Sequence, residues 1–249
     1  MIGVLGGMGP LATMDFFAKV IACTPASRDE DHVPLLIQSD PAIPPRPAAI
    51  FTGNGSPLPA LLAGRDRLIA AGAQAVVMPC NTAHHWYSDL VQDCPVPFLS
   101  IVEACCSELQ AMVPPGGTVG IIATRATLAA KLFDAPLTQR GCRLAVPDDD
   151  DMGGVLSAIA QVKAGQTHEA GKRLEEVVQR LLSRGASAVI LACTETPLAL
   201  DAVQSPLRAR CIDSTAALAR STVSWWTQHG KSAQAVTQSM LDTTGKHTV

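Results

Sequence analysis

Ala71-Gly72-Ala73-Gln74-Ala75-Val76-Val77-Met78-Pro79-Cys80 reads as a second version of Arg184-Gly185-Ala186-Ser187-Ala188-Val189-Ile190-Leu191-Ala192-Cys193. Gly, Ala, Ala, Val and Cys coincide at one offset, 193 − 80 = 113. In each copy a helical pattern precedes (Leu61 to Ala71, Leu174 to Arg184) and a glycine ends it. A short β-branched run then reads as a strand, and a cysteine closes it. Outward from there, Gly3-Val4-Leu5-Gly6-Gly7-Met8-Gly9-Pro10-Leu11-Ala12 parallels Gly120-Ile121-Ile122-Ala123-Thr124-Arg125-Ala126-Thr127-Leu128-Ala129 at an offset of 120 − 3 = 117. Each is an apolar strand, a small-residue turn and the start of a helix. The offsets differ by 117 − 113 = 4, one modest loop change.

Two such copies predict an α/β protein of two similar halves, each a mostly parallel sheet flanked by helices. One half is assigned to residues 1–98 and the other to 99–207. Segment 208–229, with Cys211-Ile212-Asp213 as a strand and Thr215 to Trp226 as a helix, is assigned back to the first half. The polar tail 230–249 is expected to be mobile. Further strands are expected at Pro34 to Gln38, Val96 to Ile101 and Arg143 to Val146. Pro41 to Pro47 and Gly53 to Pro59 are expected as loops.

Composition agrees with this division. Apolar residues make up 47% of the chain and aromatics 4%, so Ala, Val, Leu and Ile supply the core, as buried parallel sheets require. The net charge of −3, with no basic stripe, argues against a nucleic-acid partner. The acidic run Asp148 to Asp151 reads as a solvated loop. No stretch is long and apolar enough to suggest a membrane span. Met1 to Ala22 is fairly apolar and ends near Cys23, but no positive segment leads it and Asp15 interrupts it, which argues against a signal peptide. The eight cysteines follow no disulfide or zinc spacing, which suggests reduced thiols and a cytoplasmic setting.

The repeated cysteines sit where chemistry is expected. Ligands of open parallel sheets bind beyond the carboxyl ends of the strands. Cys80 and Cys193 both fall there, each ahead of a predicted helix (Ala83 to Val91, Pro197 to Val203). Amide N–H groups at a helix start favour an anion and are expected to lower a thiol pKa. The flanking Asn81-Thr82 and Thr194-Glu195-Thr196 supply caps and hydrogen bonds to a carboxylate. Two equivalent loops suggest one shared site in the cleft between the halves, with a thiol on each face of the substrate. That suits inversion of a carbon centre, where one group removes a proton and another returns one to the opposite face.

Gly6-Gly7-Met8-Gly9-Pro10, Pro79-Cys80-Asn81-Thr82-Ala83-His84 and Cys193-Thr194-Glu195 resemble the signatures of the aspartate/glutamate racemase superfamily, most of all its aspartate racemase branch. The resemblance runs to about Ala219. It implies a pseudo-twofold pair of α/β domains, amino-acid racemisation without pyridoxal phosphate or metal, and a homodimer. It implies catalytic roles for Cys80 and Cys193 and substrate contacts from Asn81, Thr82, Thr194 and the Met8-Gly9 turn, with Glu195 in the same motif. Thr124 and Thr127 resemble a further substrate loop. Arg46 and Lys163 match the basic pair that holds a side-chain carboxylate. Broad-specificity relatives can lack the arginine, so the resemblance implies an acidic amino acid, aspartate or else glutamate. Two departures bear on substrate choice: Thr196 replaces an aliphatic residue, and Pro45 and Pro47 flank Arg46.

Other readings are weaker. Gly7-Met8-Gly9-Pro10-Leu11-Ala12 fits a dinucleotide fingerprint, but the acid that should end the next strand is missing: Asp29, Glu30 and Asp31 lie in a polar loop and Asp40 comes late. His84 and His85 point about 100° apart on a helix and lack further ligands, against a metal site. Cys105-Cys106 reads as core. Two alternatives stay open. One is another reaction on the same scaffold: a broad-specificity racemase, a diacid cis–trans isomerase, a hydantoin racemase or a malonate decarboxylase. The other is a non-catalytic binder of a small carboxylate.

Overall fold

A computed structural model describes residues 1–244, of which 231–244 are given as helical backbone. The first half runs β1 (Ile2–Gly6), α1 (Pro10–Cys23), β2 (Leu35–Ser39), α2 (Arg46–Thr52), α3 (Leu58–Ala70), β3 (Ala75–Val77), a 3₁₀ turn (Thr82–Trp86), α4 (Tyr87–Val91), β4 (Phe98–Leu99) and α5 (Ile101–Glu108). The second runs β5 (Thr118–Ala123), α6 (Arg125–Ala129), α7 (Asp134–Gln139), β6 (Arg143–Ala145), α8 (Asp149–Lys163), α9 (Thr167–Ser183), β7 (Ala186–Ala192), α10 (Thr196–Ala202), β8 (Cys211–Asp213) and α11 (Ser214–Thr244). They form two four-stranded parallel sheets, ordered β2-β1-β3-β4 and β6-β5-β7-β8. The second order is the first with four added to each strand, as the repeat predicts.

Both faces of each sheet are covered, and the strands' alternation sorts residues into an inner and an outer row. Ile2, Val4, Ala75, Val77, Val119, Ile121, Ala188 and Ile190 face a central core shared with Phe16 of α1, Ile101 and Cys105 of α5, and Leu218 and Val223 of α11. The outer row of the first sheet (Leu5, Val76, Met78) packs under Leu61 and Leu68 of α3. That of the second (Ile122, Val189, Leu191) packs under α8 and α9. Helix α9 buries Ala170, Leu174, Val177, Val178 and Leu181, one face at helical spacing. Gly3 and Gly120 let the sheets approach these outer helices: a Cβ on Gly3 would press on Leu68 and one on Gly120 on Leu181. Those leucines are themselves 181 − 68 = 113 apart.

The central layer is built by exchange. Helix α5 follows the first sheet but also packs on α7 and β8. Helix α11 follows the second sheet but packs on α1 and reaches β4. The two helices lie against each other, tied by Arg220 to Glu108 at 2.7 and 2.8 Å. Each is capped alike: Ser100 Oγ accepts from Glu103 N, and Asp213 Oδ1 from Ala216 N, with 213 − 100 = 113.

Several expectations need correction. The strand Cys211–Asp213 does not return to the first half, because it pairs with β7 and completes the second sheet; the helix after it makes the return. The segment expected as a mobile tail is given as helical backbone of α11 through Thr244, there being no Pro or Gly between 231 and 244 to stop a helix, which does not bear on its mobility; 245–249 lie outside the described residues. The Pro41 to Pro47 loop ends early, since Arg46 opens α2 and Pro47 sits in its first turn, where a missing N–H does no harm. The acidic run is a helix start. Asp148 Oδ1 accepts from Asp151 N at 2.9 Å, and buried Asp151 pairs with Arg180 and with Arg184. Backbone donors and α9 cations make that acidic cluster stable in a helix.

Candidate active site

Cys80 and Cys193 each continue the outer row of their strand: Val76, Met78, Cys80 and Val189, Leu191, Cys193. The first sits among Met8, Ile43 and Trp86, the second among α8 to α10. Both are almost closed to solvent, at 6% and 7% exposure, and this decides their acidity. The expected lowering of the thiol pKa is overturned: burial pushes Cys80 up, and it pushes Cys193 well up with help from the Glu195 carboxylate beside it. The N–H groups of Ala83 and Glu195 act in the expected direction, but desolvation outweighs them. The helices are also short. A 3₁₀ turn follows Cys80, and the seven-residue α10 follows Cys193.

The carboxyl ends of the two sheets meet through hydroxyls. Thr82 Oγ1, just past Cys80, lies 2.7 Å from Thr127 Oγ1 and 3.3 Å from Thr124 Oγ1. Thr124 caps α6 by accepting from Thr127 N at 3.1 Å. These three threonines are thus joined, and Thr127 is buried behind the other two. Asn81 also bridges the halves, since its Nδ2 donates to Ser214 Oγ at 2.9 Å. Its buried Oδ1 has no partner among the described residues.

Arg46 and Lys163 bring positive charge from α2 of the first half and α8 of the second. Arg46 donates to the carbonyls of Ile43 and Pro44 at 3.1 Å and of Met8 at 3.4 Å, which ties α2 to the Met8-Gly9 turn. Gly9 in turn starts α1, its carbonyl accepting from Thr13. Lys163 ends α8 and pairs with Glu195 Oε1 at 3.6 Å. Glu195 is buried, and its Oε2 accepts from Cys193 Sγ at 3.1 Å and from Thr194 Oγ1 at 3.2 Å. Charge connects the two thiols: Arg46, Glu195 and Lys163 all act on Cys80, and Glu195 and Lys163 also act on Cys193. Of the predicted residues, Met8 packs in the cluster that holds Cys80 and Glu195 bonds Cys193, whereas Lys163 is largely exposed and Thr127 faces Thr82.

The glycine turn is packed at Gly6 and Gly7 and open at Gly9. A Cβ on Gly6 would collide with Thr13 and one on Gly7 with the backbone of Asp40, so the turn already packs on its own chain. His84 is occupied on both nitrogens. Nδ1 bonds the Cys80 carbonyl at 2.8 Å and Nε2 accepts from Ile101 N at 3.1 Å, which makes it a neutral brace behind the cysteine loop. Burial lowers its pKa to about 4.

The profile of the Asp/Glu/Hydantoin racemase family matches residues 5–222. The chain belongs to this family. It is 32% identical over 228 residues to a broad-specificity amino-acid racemase of Bacillus subtilis, covering 90% of this chain and 97% of that one. Among solved structures, the Picrophilus torridus aspartate racemase superposes with a TM-score of 0.78 at 32% identity, covering 90% and 92% of the two chains. A glutamate racemase of Francisella tularensis shares the fold, with a TM-score of 0.66 at 19% identity and 92% and 81% coverage. The protein is an isomerase of the amino-acid racemase class. The binding-protein alternative is thereby set aside.

Sequence reasoning missed Ser214 and Asp213 in this racemase. Asp213 is buried and joins Lys19 of α1 at 2.8 Å and Arg208 at 2.6 Å, just before the serine that holds Asn81. The signal was available, because Asp213 is the repeat partner of Ser100.

Proposed function

We propose that this racemase interconverts L- and D-aspartate by exchanging protons between Cys80 and Cys193 on opposite faces of the α-carbon. The observation that carries the proposal is that two equivalent cysteines, one past the end of a strand in each sheet, lie where the carboxyl ends of the two sheets meet through Thr82, Thr124 and Thr127. One sulfur removes the α-proton as thiolate, and the other, as thiol, returns a proton to the far side. The carbanion's charge spreads into the α-carboxylate, where the amide groups after each cysteine and the nearby cations stabilise it. Asn81 Oδ1, fixed by the Ser214 bond to its nitrogen, accepts from the α-ammonium. Arg46 and Lys163 receive the side-chain carboxylate. The chemistry is assigned to these side chains without pyridoxal phosphate, and the active unit is taken to be a homodimer, which light scattering checks.

The test is chiral chromatography of L- and D-aspartate with pure protein and no added cofactor, repeated with Cys80→Ala and Cys193→Ala. Interconversion lost in both variants supports the scheme; full turnover in either one rules it out. A second reading, broad specificity, is favoured by the carbonyls that already occupy the Arg46 guanidinium. A screen across the standard amino acids separates the two.

A further inference from the structure

The two cysteine loops are copies of one pattern, but an amino acid has no such symmetry: its ammonium needs an acceptor on one side only. Asn81 carries an acceptor of that kind. It is buried, its Nδ2 donates to Ser214 Oγ at 2.9 Å, and its Oδ1 has no partner among the described residues. The repeat supplies no second copy of this pair. Thr194 stands at the register of Asn81 and Ile101 at that of Ser214, since 194 − 81 and 214 − 101 are both 113. Behind Ser214 the contacts are ionic. The buried Asp213 carboxylate uses both oxygens: Oδ1 accepts from Ala216 N at 3.0 Å, and Oδ2 takes Arg208 Nη2 at 2.6 Å and Lys19 Nζ at 2.8 Å. Lys19 is itself held by Asp15 at 2.6 Å, one turn back on α1. Lys19 belongs to the first half and Asp213 ends β8 of the second, so the neighbours Asp213 and Ser214 each bridge the halves. At the equivalent place in the first half, Ser100 caps α5 with a hydroxyl and no ion pair.

We propose that Asp213, clamped by Lys19, is a positioning residue for the substrate's ammonium, acting through Ser214 and Asn81. This rests on the reading of Asn81 Oδ1 as the ammonium acceptor and concerns binding, not the proton exchange at sulfur. Asp213 caps α11 and so sets where Ser214 stands. Ser214 holds the amide nitrogen, which leaves the amide one orientation and keeps its oxygen available to a donor. Lys19 ties the same carboxylate to α1, so the start of α11 is fixed against the first half, where Asn81 itself resides. A side chain already held in its bound geometry loses little freedom when the ligand arrives. A donor that reaches Oδ1 also satisfies a buried acceptor, whereas a ligand without one leaves it unmet. The pair therefore discriminates an amino acid from the same acid lacking its ammonium.

The experiment measures kcat and KM for aspartate, and the inhibition constant of succinate, which is aspartate without the ammonium. If the wild type turns over a different amino acid, that one and its deamino analogue form the pair. The variants are Asp213→Asn, Lys19→Met, Ser214→Ala and the double Asp213→Asn with Ser214→Ala. Asparagine caps a helix as well as aspartate does, so Asp213→Asn removes the ion pair and leaves the cap. KM is expected to rise about tenfold in each single variant, with kcat changed much less and the succinate constant within about twofold of the wild type. The double variant is expected to match Ser214→Ala, because Asp213 acts through that serine. A general loosening of the fold would instead weaken aspartate and succinate alike and would add up in the double variant. Equal shifts for both ligands, an unmoved KM in Asp213→Asn, or additive effects overturn the proposal. If circular dichroism shows Asp213→Asn unfolded, Lys19→Met decides by the same comparison of the two ligands. A wild type that interconverts no amino acid removes the earlier reading and this one with it, whereas an active wild type whose variants keep its KM removes this one alone.

Discussion

Asn81 illustrates how single side chains hold this site. Its nitrogen is anchored across the molecule, and its buried oxygen has no partner among the described residues. Ser214→Ala strands a buried amide N–H and is expected to cost about 1–3 kcal/mol in urea unfolding, with a rise in KM because the amide can then turn. Gly7 has φ of +94° and presses on Asp40, so Gly7→Ala is expected to lose at least about 1–2 kcal/mol, read by the same unfolding experiment. His84 carries a pH dependence. Its folded pKa is lowered to about 4 from 6.5, so the unfolded chain binds a proton that the folded chain refuses between those values. The stability it contributes is complete above pH 6.5 and is lost as pH falls to about 4. That amounts to roughly 3 kcal/mol. Urea unfolding of the wild type and His84→Gln at several pH values checks it: the wild type should fall more steeply across that window.

Among the elements, the outer helices carry the clearest sequence imprint. Leu174, Val177, Val178 and Leu181 repeat at helical spacing, and the run Ala186–Ala192, short, rich in β-branched residues and set off by Gly185, reads as a buried strand. Leu68 and Leu181 hold equivalent places over the glycines of β1 and β5, so Leu68→Ala and Leu181→Ala are each expected to lose about 2–5 kcal/mol by denaturant unfolding. The cysteine loops and their polar neighbours were legible for the same reason: a repeat places unlike residues at like positions. What stayed hidden depended on partners distant in sequence. Asp148 to Asp151 looked solvated until Arg180 and Arg184 of another helix were placed beside them. Cys211-Ile212-Asp213 is short enough to pair with either sheet, and the open edge of β7 decides it. The thiol acidity was misread because burial depends on the whole fold, whereas helix starts can be read locally.

At the scale of the molecule, the inner faces of both sheets close on one core, so neither half is complete without the other. Calorimetry is expected to record a single unfolding transition instead of two. The fragment 99–207, which lacks both β8 and α11, is expected to remain unfolded by circular dichroism; a folded fragment contradicts the shared core. The crossed helices α5 and α11 also bear on descent. A half-length forebear of four strands, with its last helix reaching outward, could bury that helix only on a second copy of itself. Its pocket would have lain on the dyad of a pair, with one sulfur from each copy. Fusion of two such copies would release the twin loops to diverge, with Thr82 in one standing where the other has Glu195. The two cysteine loops stand in like register, yet the residues that follow them no longer match.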